Sequence, residues 1–347
     1  MSLDDFSWYR GNLKWLRERT FFLTKHGSHA YGTSTPSSDL DMKGIAIAPA
    51  EYYLGFVSSF EQAEVREPLD VVIYDIRKFF KLAADCNPNI IEVLFTDAAD
   101  WIFPADSKAW EDLHRHRRWF LSRRARHTFS GYAVSQLKRI KTHRRWLLDP
   151  PKGKPDRASF GLPASGPTVG KDALGVIESR IRKMSDAAGG QGMTKDLVAE
   201  HEEEMVYVAV TDLEMSIDLI PIVLSERRYG NACRQWDAYE RWKAERNPAR
   251  AALEAKHGYD TKHAMHLVRL LRMAEEILAR GEVLVKRPDA AELLAIRGGA
   301  WGFERILAFA EAQDVMLAKA YETSPLPREP DRVFLDELLV ELVRRTL

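Results

Sequence analysis

The stretch HGSHAYGTSTPSSDLDMKGI, residues 26–45, is the feature that most constrains the fold of this chain. An apolar segment precedes it at residues 21–24, and a second one, residues 42–48, begins at its end. Each segment predicts a strand, so a Gly-Ser pair and a polar loop connect two strands. Asp39 and Asp41 lie two residues apart where the second strand begins, and alternate residues of a strand point the same way. The pattern therefore predicts two carboxylates side by side at the edge of a small sheet.

Two neighbouring carboxylates repel each other, and a divalent cation removes that repulsion. Carboxylate oxygens suit Mg²⁺, which keeps coordination positions for water and for substrate phosphates. Gly27 lets the backbone approach an anion closely, and Ser28 offers an amide and a hydroxyl to phosphate oxygens. In the alternative interpretation, Asp39 caps a turn and Asp41 is a solvated strand residue. The complete arrangement of strand, Gly-Ser, polar loop and Asp-x-Asp favours magnesium beside a nucleoside triphosphate (NTP).

This arrangement resembles the DNA polymerase beta nucleotidyltransferase superfamily, whose motif is an apolar residue, Gly-Gly or Gly-Ser, a spacer and Asp-apolar-Asp. The local sequence resembles even more closely the RNA-repair-pathway polymerase-beta-like family of predicted nucleotidyltransferases. Members of that family carry segments similar to DIRKFFKLAADCNPNIIEVLF and GYDTKHAMHLVRLLRMAEEIL. The resemblance covers residues 20–148 and 255–300. One departure is His26, which stands where the superfamily usually has an apolar residue.

The resemblance implies an α+β fold, with a small polymerase-beta-like head and a larger helical domain. It also implies a third carboxylate, for which the candidates are Glu64, Glu67, Asp70 and Asp75. Asp75 precedes a helical pattern and is explained as its N-cap, whereas Asp70 enters the apolar strand VVIY. The predicted catalytic and metal-binding residues are therefore Asp39, Asp41 and Asp70, with Mg²⁺ as the cofactor and Mn²⁺ as an alternative.

The segment 258–278 has apolar residues at helical spacing and a second, polar face. In the superfamily, a helical domain over the head supplies a lysine to the triphosphate, and Lys262 is the residue that this resemblance favours. His266 and Arg269 on the same face are predicted to help bind the nucleotide; the alternative is a solvated face with incidental cations. His263 is rejected as a metal ligand because no partner at ligand spacing is visible in the sequence.

Residues 114–146 hold eleven Lys or Arg and no Asp or Glu. Such a span predicts contact with a phosphate backbone, and its aromatic residues offer stacking surfaces for unpaired bases. The predicted RNA-binding residues are Arg123, Arg124, Arg126, Lys138 and Arg139. The alternative, given equal weight, is pairing with the acidic segment 196–218, which has eight acids and no Lys or Arg.

Local patterns divide the chain into a head (1–104), basic helices (105–149), a Pro/Gly-rich linker (150–170) and a helical domain (171–347). Within these, a helix is expected over 4–19 and a break between two helices near Ser130 and Gly131.

The chain of 347 residues has a net charge of zero and two cysteines, too few for a disulfide framework or a zinc cluster. No signal-peptide pattern and no apolar run of membrane-spanning length is visible. A cytoplasmic location without membrane association is therefore expected.

The expected function is Mg²⁺-dependent transfer of a nucleoside monophosphate from an NTP to a hydroxyl acceptor. The favoured acceptor is an RNA end in RNA repair, with an RNA ligase as a partner in the same pathway. Two alternatives remain open: transfer of AMP to a protein, as in toxin–antitoxin relatives, and a non-catalytic nucleotide- or RNA-binding module.

Overall fold

The computed structural model describes residues 3, 6–67, 69–103, 107–189 and 201–347. Its strands are β1 (Thr20–His26), β2 (Asp41–Ala46), β3 (Gln62–Val65), β4 (Asp70–Asp75) and β5 (Trp101–Phe103). The first helices are α1 (Leu16–Arg19), α2 (Gly27–Tyr31), α3 (Glu51–Leu54), α4 (Ile76–Ala84), α5 (Pro88–Leu94), α6 (Lys108–Arg115), α7 (Ala125–Leu148) and α8 (Lys171–Gly189). After them come α9 (Glu202–Asp212), α10 (Ile220–Glu245), α11 (Pro248–His257), α12 (Thr261–Arg280), α13 (Ala290–Arg297), α14 (Phe303–Thr323) and α15 (Arg332–Thr346).

The strands form one mixed sheet in the order β3-β4-β2-β1-β5. β2 runs antiparallel to β1 and parallel to β4. Successive residues of a strand point to opposite faces of the sheet, and apolar residues occur on both faces. Each face is therefore covered by a core. Phe22 and Ile45 contribute to one core, with α4, α5, α7 and α12, whereas Leu23 and Met42 contribute to a second core on the opposite face.

The chain divides into two compact units, one made of residues 1–147 and 249–347 and the other of residues 148–248. In the first unit, α12 contributes Leu267, Leu271 and Ala274 to the core that covers the sheet. The second unit has its own apolar core, drawn from α8, α9 and α10. These units differ from the expected domains, because residues 249–347 join the head instead of continuing the helical domain predicted for 171–347.

The α+β class is confirmed: a small mixed sheet carries a larger amount of helix. Both cysteines, Cys86 and Cys233, are free thiols. Among the helices in the described ranges, none has the length and apolar character needed to cross a bilayer.

Candidate active site

A row of polar side chains crosses three neighbouring strands of the sheet. His26 at the end of β1 pairs with Asp41 at the start of β2, and Asp41 pairs in turn with Asp70 at the start of β4. Residues opposite each other in register present their side chains on the same face. Asp39 lies two residues before the start of β2 and is exposed, as is Asp70, whereas Asp41 is half-buried. The three predicted carboxylates therefore meet at one end of the sheet.

Gly27 packs directly against this row. Its φ of +62° lies in the left-handed region, and a Cβ built on it would come within 2.1 Å of Asp41 Oδ2. Only glycine combines this backbone conformation with so close an approach. The Gly-Ser pair opens the short helix α2, so Ser28 directly follows the glycine that packs against the Asp41 carboxylate.

The electrostatics show a crowded set of anions. The pKa of Asp41 is raised, first by burial and then by the neighbouring charge of Asp70, with a smaller contribution from Asp39. Lys43, two residues along the same face of β2, has its pKa lowered to about 8 because it is buried, although Glu92 and Asp41 act to raise it. Three neighbouring carboxylates that offer only oxygen atoms are a donor set that fits a hard divalent cation.

The structure brings Lys262 to this site. It is exposed in the first turn of α12, whose N-cap is Asp260. Partial desolvation and the charges of Arg250 and Arg297 lower the pKa of Lys262, whereas Asp41 and Asp39 act to raise it. These mutual effects place the ammonium group within electrostatic reach of the carboxylates and among other cations, which is a suitable environment for a polyanion.

His266 lies one turn further along α12 and is half-buried. Burial, together with the charges of Arg269 and Lys262, lowers its pKa to about 3. His266 is therefore neutral near pH 7, so it offers a hydrogen bond and no charge to a phosphate.

Arg269 was expected to bind the nucleotide, but the structure places it in the interior. Only 5% of its surface is exposed; its guanidinium pairs with the buried Glu92 on α5 and lies 3.8 Å from the centre of the Tyr31 ring. The residue faces a buried carboxylate and not the surface of the site. Its position indicates a supporting role, in which α12 is fixed to α2 and α5.

The same Glu92 explains why His26 stands at a position that is usually apolar. His26 Nε2 lies 3.3 Å from Glu92 Oε2, and the Tyr31 hydroxyl donates to the same oxygen at 2.6 Å. Burial alone would raise the pKa of Glu92, but the charge of Arg269 and the contacts from His26 and Tyr31 hold it well below its usual range. The residue before Gly27 is thus part of a buried polar network that joins the glycine turn to α12.

The other candidates for the third carboxylate lie elsewhere. Asp75 is buried and caps α4: its Oδ1 accepts from the Arg77 amide at 2.9 Å, and its Oδ2 accepts from the Tyr53 hydroxyl at 2.9 Å. Glu64, on β3, pairs in register with Val72. Among these candidates Asp70 is the one that pairs in register with Asp41.

The arginines at the start of the basic span have partners within their own unit. Arg123 donates to the carbonyls of Ser324 and Leu326 at 2.8 and 2.9 Å. Arg124 Nη1 lies 3.1 Å from a carboxylate oxygen of Glu329, and Arg126 lies 3.3 Å from Asp314. A structural role therefore accounts for these three cations, which were predicted to bind RNA.

Lys138 and Arg139 are exposed on α7, together with Lys141 and Arg145. The acidic segment offered as an alternative partner begins at Asp196 and Glu200, which lie outside the described residues. From its described part, Glu202 lies 3.3 Å from Arg227 and Asp212 lies 3.3 Å from Arg180, both within the second unit.

Sequence reasoning did not identify Lys43 or Glu92. The signal for Lys43 was its spacing of two from Asp41 on a strand, which puts both on one face. The signal for Glu92 was a lone acid in the apolar helix PNIIEVL, because a fully buried acid needs a partner.

Comparisons with known proteins support the resemblance that the sequence shows. The chain is similar to a protein of Enterobacteria phage T4 named "Uncharacterized 38.9 kDa protein in nrdC-mobD intergenic region". The two are 23% identical in an alignment 343 residues long, which covers 92% of this chain and 96% of the phage protein. No solved structure matches significantly. Residues 11–147 match the model of the RNA repair pathway DNA polymerase beta family, RlaP, a match that suggests nucleotidyltransferase activity. The resemblance read from the sequence is thereby confirmed over residues 11–147, which are similar to the RNA repair pathway DNA polymerase beta family.

Proposed function

We propose that this protein is a divalent-metal-dependent nucleotidyltransferase that transfers a nucleoside monophosphate from an NTP to a hydroxyl group at an RNA end. The observation that carries the proposal is the pairing of Asp41 with Asp70 across β2 and β4, with Asp39 beside them and Gly27 packed against Asp41. A structural role does not explain three carboxylates whose charges oppose one another, because such a cluster destabilises the fold unless a cation offsets it.

The residues have distinct roles in this proposal. Asp39, Asp41 and Asp70 would hold Mg²⁺ or Mn²⁺, which supplies charge neutralisation at the triphosphate and a lower pKa for the attacking hydroxyl. Gly27, Ser28 and Lys262 contact the triphosphate, and His266 adds a neutral hydrogen bond.

The reaction forms one bond and breaks another. The acceptor oxygen bonds to the α-phosphorus, the bond from that phosphorus to the bridging oxygen breaks, and pyrophosphate leaves. The hydroxyl proton passes to Asp70, the carboxylate that lies at the exposed start of β4.

RNA is the proposed acceptor because α7 exposes cations close in sequence, among them Lys138 and Arg139. A phosphate backbone is the polyanion that such a surface binds. The RNA repair pathway in the family's name also supports RNA, and an RNA ligase acting on the same ends, in the cytoplasm, is the proposed partner.

The proposal is tested with the four NTPs, each labelled at the α-phosphate, incubated with the protein, Mg²⁺, total RNA and total protein. We expect label in RNA, from one or a few of the NTPs, and no transfer without a divalent cation. Label in protein instead of RNA would replace the RNA acceptor with a protein hydroxyl. Absence of transfer from every NTP with Mg²⁺ and with Mn²⁺ would contradict the enzymatic function.

A further inference from the structure

A cluster of potential metal ligands lies on α7 and at the start of α12. His143 comes from α7, whereas Asp260 and His263 belong to the cap and first turn of α12. One ligand atom from each residue lies within 4.8 Å of the other two. We propose that His143, Asp260 and His263 form a second metal site, which binds a borderline transition-metal ion such as Zn²⁺.

The distances between the ligand atoms fit an ion with tetrahedral coordination. His143 Nδ1 lies 3.2 Å from Asp260 Oδ2, and His263 Nε2 lies 3.5 Å from the same oxygen. Bonds of about 2.0–2.1 Å at tetrahedral angles separate two ligand atoms by about 3.3 Å. Two of the three ligand separations therefore already have the length that bound Zn²⁺ requires.

The kinds of ligand distinguish this site from the carboxylate site. Two imidazoles and one carboxylate leave a fourth position open and suit Zn²⁺ and its neighbours in the first transition row. Mg²⁺ prefers oxygen ligands and octahedral geometry. The two sites are thus expected to bind different ions. The test of the second site is therefore independent of the proposed function.

Arg250 competes for the same carboxylate. Its guanidinium donates to Asp260 Oδ2, and its Nε lies 3.3 Å from Glu254 Oε1. A metal ion and the guanidinium would share Asp260, and the contact with Glu254 gives Arg250 a partner to keep when the ion enters. Loss of the competing charge through Arg250→Gln is therefore expected to tighten binding of the ion.

The ion would connect two segments that are distant in sequence. His143 and Asp260 are separated by 117 residues, and His263 directly follows Lys262. An ion at this cluster would fix the start of α12 against α7 and thereby hold the helix that carries Lys262. This role is structural, so it can be measured without any turnover assay.

The test uses the full-length protein without a histidine tag, titrated with Zn²⁺ by calorimetry in the presence of millimolar Mg²⁺. We expect one Zn²⁺ to bind and to raise the thermal unfolding midpoint. His143→Gln and His263→Gln keep a group that can hydrogen-bond to Asp260 but remove the imidazole, so each should weaken Zn²⁺ binding at least tenfold. His127→Gln, which changes an exposed histidine of α7, is the matched control and should bind as the parent protein does.

X-ray absorption of the Zn²⁺-loaded parent protein provides a measurement that does not depend on the folding of any variant. The expected shell contains nitrogen and oxygen near 2.0 Å, with imidazole scattering and no sulfur. A sulfur shell, or Zn²⁺ affinity that is unchanged in both glutamine variants, would overturn the proposal. Zn²⁺ binding that is lost in Asp41→Asn and retained in the histidine variants would assign the ion to the carboxylate site instead.

Discussion

Substitution of Gly27 by alanine tests the close packing of the glycine turn against the metal-binding row. The new Cβ would lie 2.1 Å from Asp41 Oδ2, whereas Cβ atoms essentially never approach another atom within 3.0 Å. The carboxylate therefore has to move by about 1 Å, and a misplacement of that size in an active site costs roughly 100-fold in rate. This loss corresponds to about 2.7 kcal/mol in the activation barrier.

Gly32→Ala is the matched control. Gly32 has a φ of +72°, so alanine suffers the same backbone strain of roughly 1–2 kcal/mol there. Its new Cβ would lie 3.8 Å from the nearest atom, in ordinary contact with Ala290. The two variants should therefore lose similar stability, and Gly27→Ala alone should lose turnover and affinity for the divalent cation.

Three measurements separate the outcomes: urea unfolding, Mn²⁺ binding by electron paramagnetic resonance, and incorporation of label from the NTP. Gly27→Ala with turnover within about threefold of Gly32→Ala would refute the proposed link between the turn and Asp41. Equal loss of activity in both variants would show that backbone strain, and not displacement of the carboxylate, explains the effect.

Further substitutions test the surrounding residues. Glu92→Gln leaves the buried charge of Arg269 without its partner and should lower the free energy of unfolding by about 3–5 kcal/mol; a loss below about 1 kcal/mol in urea unfolding would contradict the buried pair. Lys262→Ala should raise the KM for the NTP by about one to two orders of magnitude, because a charged hydrogen bond contributes roughly 1.5–3 kcal/mol, while the KM for the acceptor stays nearly constant. Reversal of charge at Lys138 and Arg139 should weaken RNA binding and reduce the slope of its salt dependence by about 1.4–1.8, since each phosphate contact contributes about 0.7–0.9; an unchanged slope in binding titrations at several salt concentrations would contradict contact between α7 and RNA.

The variants at Lys262 and on α7 each have a control in the chain. Lys262→Arg keeps the charge but changes its geometry, so it should recover part of the nucleotide affinity. Arg126→Gln removes a cation that is paired with Asp314, and it should leave RNA affinity nearly unchanged.

The elements around the site were predictable because their signals are local. The strands at 21–24, 42–48 and 71–74 and the helix that begins after Asp75 appear as β1, β2, β4 and α4. Alternation of apolar residues and the capping aspartate are features of neighbouring residues, so a single sequence contains them.

Elements defined by tertiary contact were missed or wrong. β3 and β5 are short edge strands that depend on pairing with β4 and β1. The helix expected over 4–19 is wrong for the described residues, where only Leu16–Arg19 are helical; Trp8 is buried because it packs beneath the sheet. The expected break at Gly131 is also wrong, since α7 continues through it and a side chain there would meet open space.

The residues of the site also divide into those that local sequence predicts and those that depend on tertiary contact. The spacing of Gly27, Ser28, Asp39 and Asp41 is contained in one stretch of sequence. The pair of Glu92 with Arg269 joins residues 177 positions apart, so no spacing rule could have revealed that Arg269 has a buried partner.

The most direct measurement of the central claim is transfer of α-labelled nucleotide by Asp41→Asn. This change removes the charge at the centre of the row and keeps the size of the side chain. We predict that turnover falls by at least 100-fold, which is about 2.7 kcal/mol in the barrier, while the free energy of unfolding in urea stays the same or rises. Glu64→Gln, on the neighbouring strand β3, should transfer label at the parent rate. Transfer by Asp41→Asn within about tenfold of the parent would contradict the assignment of these carboxylates to metal binding and catalysis.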